Sequence, residues 1–212
     1  MDDAKVMILA RQQDPVAAAA IVKSIVELER DYKLAEHPLS ERFMGDVAVL
    51  MRKAAPEPWE VVKNDWTVLL KAGAAWKPTR GLGNGDCWLE ISEISGADEE
   101  EHTWIGVAVG AGQSKFGLEL VFRNALKQSA VALSQDKAHA AMLEKIGFKR
   151  DVSGLRLYLP ITIDRLRLAK GCSENDLTEA LGPVRKVVEV VVAAKADLDE
   201  FIELVRTKAK AK

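Results

Sequence analysis

Apolar residues recur at helical spacing near the start of the chain. Ile21, Ile25, Leu28 and Tyr32 follow one another at steps of four, three and four, with Val22 and Val26 alongside. That spacing stacks them on one face and predicts an amphipathic helix over Asp14–Tyr32. Asp14 suits its N-cap and Pro15 its first helical position. A second helix is expected over Leu39–Ala54, with Phe43, Met44, Val47, Leu50 and Met51 on one side; the prolines of Ala54-Ala55-Pro56-Glu57-Pro58 end it. The short link at 34–38 predicts that the two helices pack as an antiparallel hairpin over 14–55.

Residues 59–78 admit two readings. Trp59-Glu60-Val61-Val62 suits a strand or a helical turn, and Leu69-Leu70 followed by Ala72-Gly73 suits a helix stopped at Gly73. Beyond them the period shortens to two, the signature of half-buried strands. Strands are expected over Cys87–Ile94, over Thr103–Val109 with Ile105, Val107 and Val109 on one face, and over Phe116–Phe122 with Phe116, Leu118, Leu120 and Phe122 facing one way. Turn chemistry at Gly81–Asp86, Gly96–Glu101 and Gly110–Lys115 joins them as an antiparallel meander. A fourth strand is expected over Leu155–Ile161, where Leu155, Leu157 and Leu159 alternate with Arg156 and Tyr158. Between them a helix is expected over Asn124–Ile146, interrupted near Ser134-Gln135-Asp136 and stopped by Gly147.

The C-terminal part reads as helical again. Ser173-Glu174-Asn175-Asp176 resembles a capping box opening a short helix that Gly182 closes. Pro183 then starts a long amphipathic helix reaching Lys208. Its Val184, Val187, Val191, Ala194, Leu198, Phe201 and Val205 alternate steps of three and four, a heptad seam widened by Val188, Val192 and Ile202. Such a seam either closes the protomer's own core or pairs with a second copy, so Val184, Val187, Val191, Leu198, Phe201 and Val205 form a candidate interaction helix. The expected fold is a single α+β domain over 1–212 with an N-terminal helical hairpin, an antiparallel sheet of about four strands within 59–161, and C-terminal helices over 173–208.

Composition narrows the class. The 212 residues are 48% hydrophobic and 29% charged, ordinary for a globular protein and unlike a disordered tail, a collagen or a disulfide scaffold. Thirty Lys and Arg against 32 Asp and Glu give a formal net charge of −2, which supplies no global attraction to nucleic acid or an anionic membrane. The apolar runs fall short of the ~20 residues of a membrane span. With an acidic, polar start and two distant cysteines, Cys87 and Cys172, the expectation is a cytoplasmic protein with reduced thiols.

Candidate chemistry is sparse. Gly81-x-Gly83-x-Gly85 and Gly110-Ala111-Gly112-Gln113-Ser114-Lys115 both lead into strands, whereas a phosphate loop must open a helix. His37, His102 and His139 are not at ligand spacing, and Asp98–Glu101 before His102 reads as a solvated loop, so no metal is expected. There is no Gly-x-Ser-x-Gly elbow. Glu90 and Glu93 fall on opposite strand faces. Cys87, expected in a strand, has no sequence-evident catalytic base; Cys172, placed just ahead of the expected helix N-terminus, keeps a reactive role open. No catalytic residue is assigned. The outer sheet face, carrying Trp104, Glu119, Arg156 and Tyr158, is the candidate ligand or partner surface, because Trp, Tyr and Arg dominate binding hot spots. Its competing readings are a cover of N-terminal helices or a plain Glu119–Arg156 cross-strand pair.

Leu143-Glu144-Lys145-Ile146-Gly147-Phe148 resembles the last helix-to-strand passage of the GNAT acetyltransferase family. The resemblance implies coenzyme A as cofactor and acetyl transfer as activity. It covers that passage alone: the family's Gln/Arg-x-x-Gly-x-Gly/Ala loop is absent before Asn124, where Leu118–Arg123 stand. The leading expectation is therefore a non-catalytic cytosolic interaction or regulatory protein with a protein partner, a homodimer among the options, and no cofactor. The alternative is an acetyltransferase-like, coenzyme A-dependent enzyme.

Overall fold

The computed structural model describes residues 14–73, 76, 85–94, 103–112 and 114–211. The expected turn residues 81–84, the connection at 96–101 with His102, and Gln113 lie outside them. The chain divides into two compact units, Met1–Leu39 and Ser40–Lys212.

In the first unit, α1 (Pro15–Lys23) and α2 (Ile25–Leu34) are followed by a π-helical turn, Ala35–Leu39. The Asp14 carboxylate accepts from the Val16 N–H at 2.9 Å, the expected cap. Only Ser24 interrupts the helical dihedrals. The ladder still crosses it, because the Ser24 N–H donates to the Ala20 carbonyl at 3.1 Å and the Leu28 N–H to the Ser24 carbonyl at 2.9 Å. The link expected at 34–38 as a reversing loop is helical instead. Its wider turn takes in Pro38, which has no N–H to place in an α-helical ladder.

The second unit begins with α3 (Ser40–Ala54) and carries six strands among the described residues: β1 (Trp59–Asn64), β2 (Thr67–Ala72), β3 (Cys87–Ile94), β4 (Lys115–Phe122), β5 (Lys149–Arg150) and β6 (Leu157–Pro160). The strands pair antiparallel throughout in the order β1-β2-β3-β4-β6-β5. The sheet thus exceeds the expected four strands. Three strands are additional: β5 at one end, and at the other the β1–β2 hairpin, Trp59 opposite Ala72 and Asn64 opposite Thr67, which settles the ambiguous stretch up to Ala72 as β.

The strand expected at Thr103–Val109 is instead a single helical turn, α4 (Trp104–Ala108). The Thr103 hydroxyl accepts from the Gly106 N–H at 3.0 Å and caps it, while β4 takes the place beside β3 directly. Asp136 caps a new helix at the marked interruption, so α5 (Asn124–Ser134) and α6 (Lys137–Ile146) replace one long helix, and Gly147, at φ 108°, stops α6. The expected capping box is overturned too. Ser173 lies in the last turn of α7 (Arg165–Glu174), whose cap is Asp164, accepting from the Arg167 N–H at 2.8 Å. The long last helix bends at Ala194 into α8 (Gly182–Ala193) and α9 (Lys195–Lys210). Among the described residues no helix is long and apolar enough to cross a membrane.

The core lies on one face of the sheet. Val68, Leu70, Cys87, Leu89, Ile91, Phe116, Leu118, Leu120, Phe122, Leu157 and Leu159 alternate into it. Phe43 of α3 packs on Phe116 with ring centroids 5.8 Å apart, and Phe201 of α9 meets Phe122 edge-on at 6.2 Å. α8 packs on α3, and α9 on α5. Val184, Val191, Leu198, Phe201 and Val205 are fully buried in this core and Val187 packs at its margin. The heptad seam therefore faces the protomer's own interior, with Val187 alone of these six partly exposed.

Candidate functional site

The other sheet face takes the alternate residues. Register places Glu90 opposite Glu119 and Glu119 opposite Tyr158, with Trp88 opposite Val121 in the next row and Leu69 opposite Glu90. Leu69 and Tyr158 are buried yet stand apart from the core. Two carboxylates facing each other across β3 and β4 repel, and two donors relieve them. Arg156 Nε and Nη2 donate to Glu119 Oε1 at 2.9 Å and Oε2 at 2.5 Å, and Trp88 Nε1 donates to Glu90 Oε2 at 3.0 Å. The bidentate fork is the geometry in which an Arg–carboxylate pair is strongest. Its hydrogen bonds to Glu119 push the Arg156 pKa up, against the opposing effect of burial.

Three of the four residues expected on this face, Glu119, Arg156 and Tyr158, come together there. Trp104 does not. It sits in α4 and packs edge-on against Phe116, on the helix-covered side, with centroids 6.4 Å apart. Its place is taken by Trp88, which the inward alternation of Cys87, Leu89 and Ile91 was able to reveal. The Glu119–Arg156 contact is the cross-strand pair that competed with a binding role.

β6 pairs with β4 over Gly117–Leu120, so among the described residues Val121 and Phe122 run on without a strand partner on that side. There a cleft of about 400 Å³ opens, lined by Trp88, Glu119, Val121, Arg123, Lys127 and Leu155 among others. The loop bounding it is folded around Asp151, whose carboxylate accepts from the Leu155 N–H at 2.9 Å, the Arg156 N–H at 3.0 Å and the Ser153 hydroxyl at 2.5 Å. Burial acts to raise the Asp151 pKa, but these hydrogen bonds outweigh it and hold the carboxyl below its ordinary value. A carboxyl with a depressed folded pKa contributes stability above its unfolded pKa of about 4 and loses it as pH falls through the folded value. The Leu155 and Arg156 amides are therefore expected to lose hydrogen-exchange protection, measured against an unfolded amide at the same pH, as the pH falls below about 4. Unchanged protection there in acid, with the rest of the sheet intact, would contradict this.

A second polar cluster ties the sheet to the last helix. Asp86, buried just ahead of β3, accepts from Arg123 Nε at 2.5 Å and from Arg206 Nε of α9 at 2.8 Å, and Arg206 also reaches Glu203. Trp76 Nε1 donates to Asp199 Oδ1 at 2.7 Å on the same helix. Cys87 lies beside Asp86, and burial pushes its thiol pKa well up, with Arg206 pulling the other way; a thiol in that state is a poor nucleophile. Cys172, half-buried, falls in the last turn of α7 rather than ahead of a helix, at the end whose dipole does not favour an anion. His139 Nδ1 lies 2.7 Å from Asp136 Oδ1 at the start of α6. Among the described residues no three of His, Cys, Asp and Glu gather as a metal site.

Fold and surface together define an α+β protein with an antiparallel sheet whose second face is held by the Glu119–Arg156 ion pair and the Trp88–Glu90 hydrogen bond. No family model matches the chain, and no curated protein or solved structure matches it either.

Proposed function

We propose that the chain is a non-catalytic, cytoplasmic interaction protein that docks a protein partner through its N-terminal helical segment, α1 and α2. One observation carries this reading. Ile21, Ile25, Leu28 and Tyr32 share a face, yet each is 43–51% exposed, and Val22 and Val26 beside them are more exposed still. Single exposed apolar residues need no explanation, whereas a contiguous row marks an interaction site. The C-terminal seam has the same spacing and is buried. The two seams are thus put to different uses.

Replacing Ile25 and Leu28 together by Asp is expected to leave the melting temperature of the Ser40–Lys212 unit unchanged. The same variant is expected to abolish a stoichiometric complex that the purified wild-type chain forms with a partner recovered from its native cells. A melting temperature lowered by several degrees, or a variant that still forms the complex, sinks the reading.

The coenzyme A alternative rests on Leu143–Phe148. Gly147 there ends α6 in the left-handed region and Phe148 is buried, which accounts for the string as a helix stop with an apolar anchor. Saturating coenzyme A is expected to leave the melting temperature where it was, whereas a ligand of the folded state raises it; a rise of several degrees restores the enzyme reading.

A further inference from the structure

Resting on the reading of α1 and α2 as a docking segment, we infer that its occupant is an amphipathic helix whose apolar stripe is flanked by Lys or Arg, rather than a second copy of this chain. The steps of four, three and four from Ile21 to Tyr32 make Ile25 and Tyr32 the a positions of a heptad, and Ile21 and Leu28 the d positions. The residues that border such a seam, at e and g, decide which helix pairs with it. Around Leu28 and Tyr32 these are Glu29 and Asp31, both exposed. Lys23, Arg30 and Lys33 fall at the outer f and b positions. Asp31 lies 3.7 Å from Arg30 Nε with both side chains exposed, a contact that competes weakly with a partner.

Two such seams brought together set carboxylates beside carboxylates, which disfavours self-pairing. The same carboxylates repel an anionic bilayer, and a seam bordered by lysines meets them with opposite charge.

The test uses the full chain and two synthetic helical peptides with identical Leu seams, one carrying Lys at every e and g position and the other Glu. The Lys peptide is expected to bind at least tenfold tighter than the Glu peptide. The preference should reverse in the Glu29→Lys, Asp31→Lys double variant, and Ile25→Asp with Leu28→Asp should abolish binding of both peptides. Equal binding of the two peptides overturns the charge inference while leaving the docking segment standing. Binding of neither peptide overturns both. A chain that is dimeric by light scattering and becomes monomeric on Ile25→Asp with Leu28→Asp assigns the seam to a second copy, and binding to phosphatidylserine vesicles with no peptide binding assigns it to a membrane; each result overturns the inference.

Discussion

A chain carrying Leu198→Asp is expected to lack a cooperative melting transition for its second unit and to elute as an expanded or aggregated species. Leu198 is wholly buried where α9 begins to cross the core. The substitution removes the leucine's packing, worth about 2–5 kcal/mol at such a site. It also places in the interior a carboxylate with no partner supplied, which costs several kcal/mol more or forces it to stay protonated. Together these reach the lower end of the roughly 5–15 kcal/mol that holds an ordinary domain together. Val191→Asp, one helix earlier and equally buried, should behave the same way. Val190→Asp is the control: Val190, next to Val191 in sequence, is 42% exposed, and a surface change of this kind stays within about 0.5 kcal/mol. A Leu198→Asp protein with wild-type melting temperature and molar mass would show that α9 does not pack as described.

The second large effect is expected at Asp86. Asp86→Ala removes the acceptor shared by Arg123 and Arg206, and chemical denaturation should show a loss of about 2–3 kcal/mol, below the full cost of breaking a buried pair because one partner faces solvent. The two arginines should contribute unequally. Arg206 has 17% of its side chain exposed and Arg123 48%. A double-mutant cycle of Asp86→Ala with Arg206→Met should therefore return a coupling of about 1–2 kcal/mol, and the cycle with Arg123→Met less than about 1 kcal/mol. Equal couplings, or none, would mean that the cluster does not fasten α9 to the start of β3.

The parts of this architecture that were readable are those in which one side chain in two faces the core. Phe116, Leu118, Leu120 and Phe122 do so along β4, and the face opposite them, with Glu119, Arg156 and Tyr158, followed by subtraction. β2 hid its period because Leu69 and Leu70 are both buried, one on each face of the sheet. α4 does not show in the spacing because Ile105, Val107 and Val109 alternate as in a strand, whereas the Thr103 hydroxyl bound to the Gly106 amide caps a helical turn there. The bend at Ala194 keeps the seam in phase, so the spacing of Val191 and Leu198 runs through it unmarked. The Asp86–Arg206 contact joins positions 120 apart and leaves no local trace. Spacing alone also does not separate an apolar seam that is covered from one that is not. Ile25 and Val191 sit in the same pattern, and only the three-dimensional packing distinguishes them.

The order of the elements has a consequence for how the molecule is made. The six strands among the described residues all precede α8 and α9, which leave the ribosome after them. Until Phe201 and Val205 have been synthesised, Phe122 and its neighbours form a greasy, half-finished surface on a nascent chain. A message cut short before α8 and α9 would yield a chain with these strands present and the Phe122 end of the sheet unshielded, a substrate for chaperones and proteases rather than a smaller working version of itself.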